Sequence, residues 1–421
     1  MDLFYGIKEP VSQLVNTIVR QGIRLIPSDK KGVFMTLFFI VFATITGVGI
    51  VVPLLPIYAH DMGAAGIYVA MIFGAFSLSR TCLLPWFGRL SDRHGRKPFI
   101  LTGLVIYALI SLAFVFTERV ETLILARFFQ GMGSAMIMPV VQAYVGEITH
   151  EGTEGYSMGL FNLSMFLSLS LGPLVGGFIL DLWSMDAAFV AMGALSVVAF
   201  GLCLIYLPPR ALEETPQGGR RELPWREILG EKKFWGLLTF RYAYTACIGT
   251  IWCFLPLYAD REFGLSGSRI GFLVMLGVFV SGSLQLPMGY VADRANKRIM
   301  GILGGMVSCW GMYLIFRAGS FSDLLLGVSV FGMGGGVGMP AVTALAVIYG
   351  DAKRAMGTVM SVMTVAHSLG MFTGSLLAGI AMDSIDLKFA FLLAMAMMGM
   401  GAVTFFILQR PDTGLEHRVQ D

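Results

Sequence analysis

Four ionisable side chains stand deep inside apolar stretches: Arg80 in GAFSLSRTCLLP, Arg127 in ETLILARFFQGM, Arg241 in WGLLTFRYAYTA and His367 in MSVMTVAHSLGM. A cation at that depth in hydrocarbon is costly, so it must face a wet cavity or an acceptor. Arginines there suit binding of an anionic group, and a histidine suits proton transfer near neutral pH. None of the 27 carboxylates shares this depth, since Asp61, Glu147, Asp181, Asp260 and Asp383 all stand at the ends of apolar runs. Arg80 lies twelve residues before Asp92, about 18 Å along a helix and near mid-bilayer. Arg127 and Arg241 lie only about 10 Å deep, where an arginine can partly snorkel, and interfacial anchoring is the expectation for Arg241. His367 reads either as a packed neutral ring or as the proton carrier.

The elements that hold these residues are membrane helices. With 56% hydrophobic and 14% charged residues the chain is too apolar for a soluble domain. It contains twelve segments of the length that a bilayer core requires, about 20 residues each. They run over 33–58, 66–88, 99–117, 123–146, 157–180, 187–207, 234–258, 269–291, 299–316, 323–349, 355–381 and 388–408. No cleavable signal peptide is expected before the first. Of 30 lysines and arginines, 22 fall in the segments that are inside if the N-terminus is cytoplasmic. The opposite loops hold five, which predicts both termini in the cytoplasm. The expected setting is a bacterial inner membrane.

Several chemistries lack their residues. There is no HExxH, no GxSxG, no Walker loop and no carboxylate pair inside a span, so an enzyme is not expected. The five cysteines sit in apolar spans without a CxxC pair or a neighbouring histidine, reading as small buried hydrophobes. No metal, cofactor or nucleic acid is expected; the partners are the lipid bilayer, a small-molecule substrate and the proton, with the chain working as a monomer.

The loop PPRALEETPQGGRRELPWREILGEKK divides the spans six and six, and the halves repeat. Gly88, Asp92, Arg93, Arg96 and Lys97 recur 201 residues later as Gly289, Asp293, Arg294, Lys297 and Arg298. Gly131, Gly133 and Pro139 recur as Gly332, Gly334 and Pro340, while Gly159, Gly172 and Gly176 match Gly357, Gly370 and Gly374 at an offset of 198. In that register Met371 takes the place of Pro173, so only one half would bend there. The predicted architecture is an all-α membrane protein of twelve transmembrane helices in two parallel, pseudo-symmetric six-helix bundles, residues 31–208 and 233–409. A cytoplasmic linker at 209–232 joins them and a tail occupies 410–421. Residues 1–30 are predicted to form an amphipathic helix on the membrane surface, Val11, Leu14, Val15, Ile18 and Leu25 sharing its apolar face.

GRLSDRHGRK at 88–97, with its weaker copy GYVADRANKR at 289–298, resembles the signature loop of the major facilitator superfamily. RFFQGMGSA at 127–135 resembles the fourth-helix motif, and SLSLGPLVGG at 168–177 the fifth-helix motif of its drug/proton antiporter-like branch, with Ser168 at the first glycine position. The resemblance implies alternating access and proton-coupled efflux of a hydrophobic or amphipathic small molecule. It makes Gly88, Asp92, Arg93, Gly95, Arg96, Lys97, Gly289, Asp293 and Arg294 a gate that stabilises the outward-facing state. It also implies helix packing and bending at Gly172, Pro173, Gly176 and Gly177, and a proton-path role for Arg127, whose other reading is a bond to helix-end carbonyls. Gln130, Gln142, Tyr244 and Gln285, with Thr46, Tyr242, Thr245, Trp252 and Thr343, become cavity candidates beside Arg80, Arg241 and His367. Because the buried charges are cationic, an organic anion or anionic lipid-like molecule is the alternative cargo; a non-transporting receptor or scaffold is a further reading.

Overall fold

A computed structural model describes residues 30–148, 154–208, 230–353 and 355–409. Nearly all of the predicted surface helix, linker and tail lie outside them. The described chain is helical: α1 Lys31–Val51, α2 Leu55–Asp61, α3 Gly66–His94, α4 Arg96–Val115, α5 Val120–Ile148, α6 Glu154–Leu182, α7 Met185–Tyr206, α8 Lys232–Phe263, α9 Gly267–Arg294, α10 Lys297–Arg317, α11 Phe321–Ala352, α12 Met356–Ser384 and α13 Phe389–Leu408. Twelve spans are long and apolar enough to cross a bilayer, with α1 and α2 together forming the first. Helices close every backbone hydrogen bond within one segment, which hydrocarbon demands.

The first span breaks at residues 52–54, whereas α8 runs unbroken for 32 residues. Pro53, which has no N–H and crowds the preceding turn, accounts for the break. Cys253 stands at the corresponding place in α8 and keeps its backbone donor.

The packing repeats as the sequence does. In the first half α1 packs on α6 and α7, α3 on α5, and α4 on α5 and α7. In the second, α8 packs on α12 and α13, α9 on α11, and α10 on α11 and α13, the same scheme helix for helix. The halves meet through α3 on α12 and α6 on α9, two contacts that exchange under the same pseudo-twofold.

The contacts correct the repeat register of the fifth and eleventh spans. The Ser168 hydroxyl donates to the Phe42 carbonyl, and a Cβ on Gly370 would collide with the Tyr242 carbonyl, the equivalent place in α8. Gly172 likewise packs on Thr46, and Gly374 on Ala246. Gly172 therefore corresponds to Gly374 rather than Gly370, one helical turn from the expected pairing. The residue opposite Pro173 is Ser375, not Met371. Glycines recur every turn along this helix face, so sequence matching slipped by one turn where contacts cannot. Helix α6 continues through Pro173, and its small residues serve close approach: Gly172 and Gly176 to α1, Gly177 to α9.

Candidate functional site

At one end of the bundle the halves are sealed together. The Asp181 carboxylate, at the end of α6, accepts the backbone N–H groups of Gly267 (2.7 Å) and Ser268 (2.8 Å), the first residues of α9. The Asp383 carboxylate, at the end of α12, accepts those of Gly66 (2.6 Å) and Ile67 (2.9 Å), the first residues of α3. Each carboxylate meets a helix N-terminus of the opposite half, where unpaired donors and the helix dipole favour negative charge. Beside them Gly177 lies against Gly267, and Gly379 against Gly66, so closely that a Cβ at any of the four would strike backbone or side-chain atoms. The Cys253 thiol adds a contact from α8 to the Val69 carbonyl of α3, at 3.7 Å.

At the opposite end, which carries the basic loops, Asp92, Lys97 and Arg298 each bond within their own half. A Cβ added at Gly88 or Gly289 would meet nothing within 4 Å, so these glycines mediate no close helix approach in this conformation, contrary to expectation. Asp92 is an exposed side chain paired with Arg96 at 2.7 Å, inside its own half. Lys97 donates to the carbonyls of Leu204 and Leu207 at 2.8 and 2.5 Å, capping the end of α7. Its repeat partner Arg298 donates to the Phe406 carbonyl at 2.8 Å near the end of α13. Lys97, expected in the gate, thus staples two helices of one half, as cations at helix C-termini do. Gly95 turns the chain between α3 and α4 with φ +90°, a conformation that side chains resist. Arg294 lies over the Tyr290 ring at 3.5 Å, and Arg93 and Asp293 are exposed.

Two polar clusters occupy the middle. In the first half Arg127 is 2% exposed, donating to Gln130 at 2.6 Å and to the Ile72 carbonyl at 3.3 Å, with its guanidinium 4.5 Å from the Phe76 ring centroid. It neither snorkels nor bonds a helix-end carbonyl; it ties α5 to α3. Gln130 is fully buried and donates to the Met192 sulfur, so it belongs to this packing rather than to a chamber wall. Tyr244 is similarly packed, 6% exposed and stacked on Phe331. Gln142 and Gln285 are half-buried.

The second cluster crosses between the halves. His367 of α12 lies within electrostatic reach of Arg241 of α8 and of Arg80 of α3. Arg80 also reaches Tyr107, and Arg241 reaches Tyr244. All three basic residues are half-buried, and neither the Arg241 Nε nor the His367 Nδ1, both buried, has a hydrogen-bond partner among the described residues. Arg241 therefore reaches toward the helix interface rather than anchoring at the membrane surface. The carboxylates of these three helices, Asp92, Asp260, Glu262 and Asp383, are all near helix ends. Sequence reasoning passed over Asp181 and Asp383 as end charges; their spacing of 202, beside Gly66 and Gly267 at 201, was the available signal.

The family model of the Major Facilitator Superfamily matches residues 37–365 and 243–420. An uncharacterized MFS-type transporter of Methanocaldococcus jannaschii is 29% identical over 84% of this chain and 92% of its own length. Multidrug resistance protein 1 of Bacillus subtilis is 25% identical over 89% of this chain and 95% of its own. The quinolone resistance protein NorA of Staphylococcus aureus is 25% identical over 84% and 90%. Among solved structures, the nucleoside transporter NupG aligns with a TM-score of 0.76 at 12% identity, over 90% of this chain and 100% of that one. A bacterial homolog of the human lysosomal transporter Spinster, inward-facing and unoccupied, aligns with 0.77 at 12% identity over 89% and 96%. With a family match spanning most of its length, on twelve helices arranged as a duplicated bundle, the chain belongs to the Major Facilitator Superfamily and is an integral, multi-pass membrane transporter.

Proposed function

We propose that the chain exports a hydrophobic or amphipathic small molecule in exchange for protons, by rocking its two halves about a central chamber. The observation that carries this reading is the pair of symmetry-related interfaces, α3 on α12 and α6 on α9, clamped by Asp383 and Asp181 at one end, while Asp92, Lys97 and Arg298 at the other bond within their own halves. A two-state element with one end sealed is what alternating access requires. The abundance of lysine and arginine at the unsealed end supports a cytoplasmic placement of that end and of both termini, and with it an inward-facing conformation. The names of the Bacillus and Staphylococcus relatives support efflux as the direction. In the outward-facing state the exposed Asp92 side chain becomes available to the opposite half, which gives the basic loop its gate role.

The test is reconstitution of the purified chain in liposomes with an imposed pH gradient and a pH-sensitive dye. Substrate-dependent collapse of the gradient, with counterflow of the substrate, is the expected result. Substrate movement that is indifferent to the gradient would overturn proton exchange, and no movement of any hydrophobic or amphipathic compound would overturn export.

A further inference from the structure

The cluster between the halves is assembled by helix register. Gly74 of α3 packs against Phe372 of α12, in antiparallel helices. Six residues on from Gly74, Arg80 comes level with Ala366, six residues back from Phe372, and so beside His367. Helices α8 and α12 run parallel with Tyr242 against Gly370, which places Arg241 within a turn of His367. One half thus contributes a guanidinium, and the other a guanidinium and an imidazole, at one depth. Two buried nitrogens of this set lack partners among the described residues, and the nearest carboxylate on each of the three helices is more than two turns away.

Cations at membrane depth are ordinarily paired, and donors left unpaired there favour any acceptor that enters. We infer that Arg80, Arg241 and His367 form one oxyanion site shared by the two halves, and that the cargo is an amphipathic anion whose carboxylate or sulfonate sits there. This rests on the transport reading above and names its substrate class. Like charges on opposite halves oppose closing the chamber while it is empty. An anion between them removes that opposition and supplies acceptors for both halves, so occupancy itself permits the basic end to close. Outward movement of an anion against inward movement of a proton transfers charge in one sense on both legs, so an inside-negative membrane potential drives the exchange.

The experiment compares three probes with one aromatic body, naphthoate, naphthylmethanol and naphthylmethyl-trimethylammonium, titrated calorimetrically against the full chain in nanodiscs. The anion is expected to bind about tenfold or more tighter than the alcohol, and the cation more weakly than either. Arg80→Gln and Arg241→Gln are each expected to weaken the anion by about tenfold while leaving the alcohol within about twofold; His367→Gln should weaken it by less. Cation binding as tight as that of the anion, or an unchanged anion affinity in the double arginine variant, would overturn the site. If a variant fails to accumulate in the membrane, the headgroup preference of the unaltered protein decides alone. Naphthoate that binds while no probe crosses a liposome upholds the site and sinks the transport reading. Transport of the cation with no binding or competition by naphthoate does the reverse.

Discussion

The Asp181 carboxylate reaches across the protein's midline to the Gly267 N–H at 2.7 Å, and the Asp383 carboxylate does the same to Gly66 at 2.6 Å. The duplicated bundle therefore carries a duplicated latch, each copy joining a helix end of one half to a helix start of the other.

Asp181→Asn and Asp383→Asn should loosen the sealed end. Each exposed carboxylate at a helix N-terminus contributes about 1 kcal/mol, so each change shifts the equilibrium toward opening that end roughly fivefold, and the double variant more. Spin labels at residues 182 and 262, in a cysteine-free background, report the opening as a longer and broader distance. An unaltered distribution in the double variant would refute the latch.

Bulk at the interface glycines should act in the same sense. Gly379→Val places side-chain atoms where Gly66 already touches backbone, as Gly177→Val does against Gly267. Both variants are expected to keep their membrane abundance while losing transport, with the sealed end held open in the same distance measurement.

Lys97→Ala and Arg298→Ala should separate stapling from gating. Each loses a cation on helix-end carbonyls, a cost of about 1 kcal/mol, with the unfolding temperature lowered by about one degree. The balance between conformations should not move. A conformational shift in Lys97→Ala without loss of stability would return that residue to the gate.

Arg127→Lys tests whether geometry or charge matters in the first half. An ammonium cannot at once serve Gln130, the Ile72 carbonyl and the Phe76 face, so transport should fall about tenfold at normal abundance. Full activity in Arg127→Lys would show that charge alone suffices.

Glu231, just before α8, pairs with Lys353 just after α11. Hydrogen bonding from that ammonium holds the Glu231 carboxyl below its ordinary value, against the opposing effect of burial. A lowered folded-state value means that the stabilisation is complete above the ordinary carboxylate range and drains away as pH falls through the lowered one. Because the two side chains are 38% and 43% exposed, screening limits the pair to at most about 0.5 kcal/mol. Glu231→Gln should lower the unfolding temperature by at most about one degree near neutral pH, and by progressively less as pH falls through and below the ordinary carboxylate range. A difference that persists in acid would exclude the pair as its source.

The sequence by itself determined twelve helices, their division into equivalent halves and the presence of cations at depth. These follow from hydrophobic length, repetition and solvation cost, which are properties of single segments. Pairing was beyond it. Whether Arg241 reached the membrane surface or His367, whether Gln130 lined a chamber or held Arg127, and which glycine of α12 matched Gly172 all depend on how neighbouring helices rotate and slide. Asp181 and Asp383 show the limit most clearly: along the chain they are ordinary end charges, and only the crossing of α6 with α9 and of α12 with α3 brings a helix N-terminus to each. Rotation and crossing are set by close contact of small residues between segments far apart in sequence, which is why tertiary structure alone decided them.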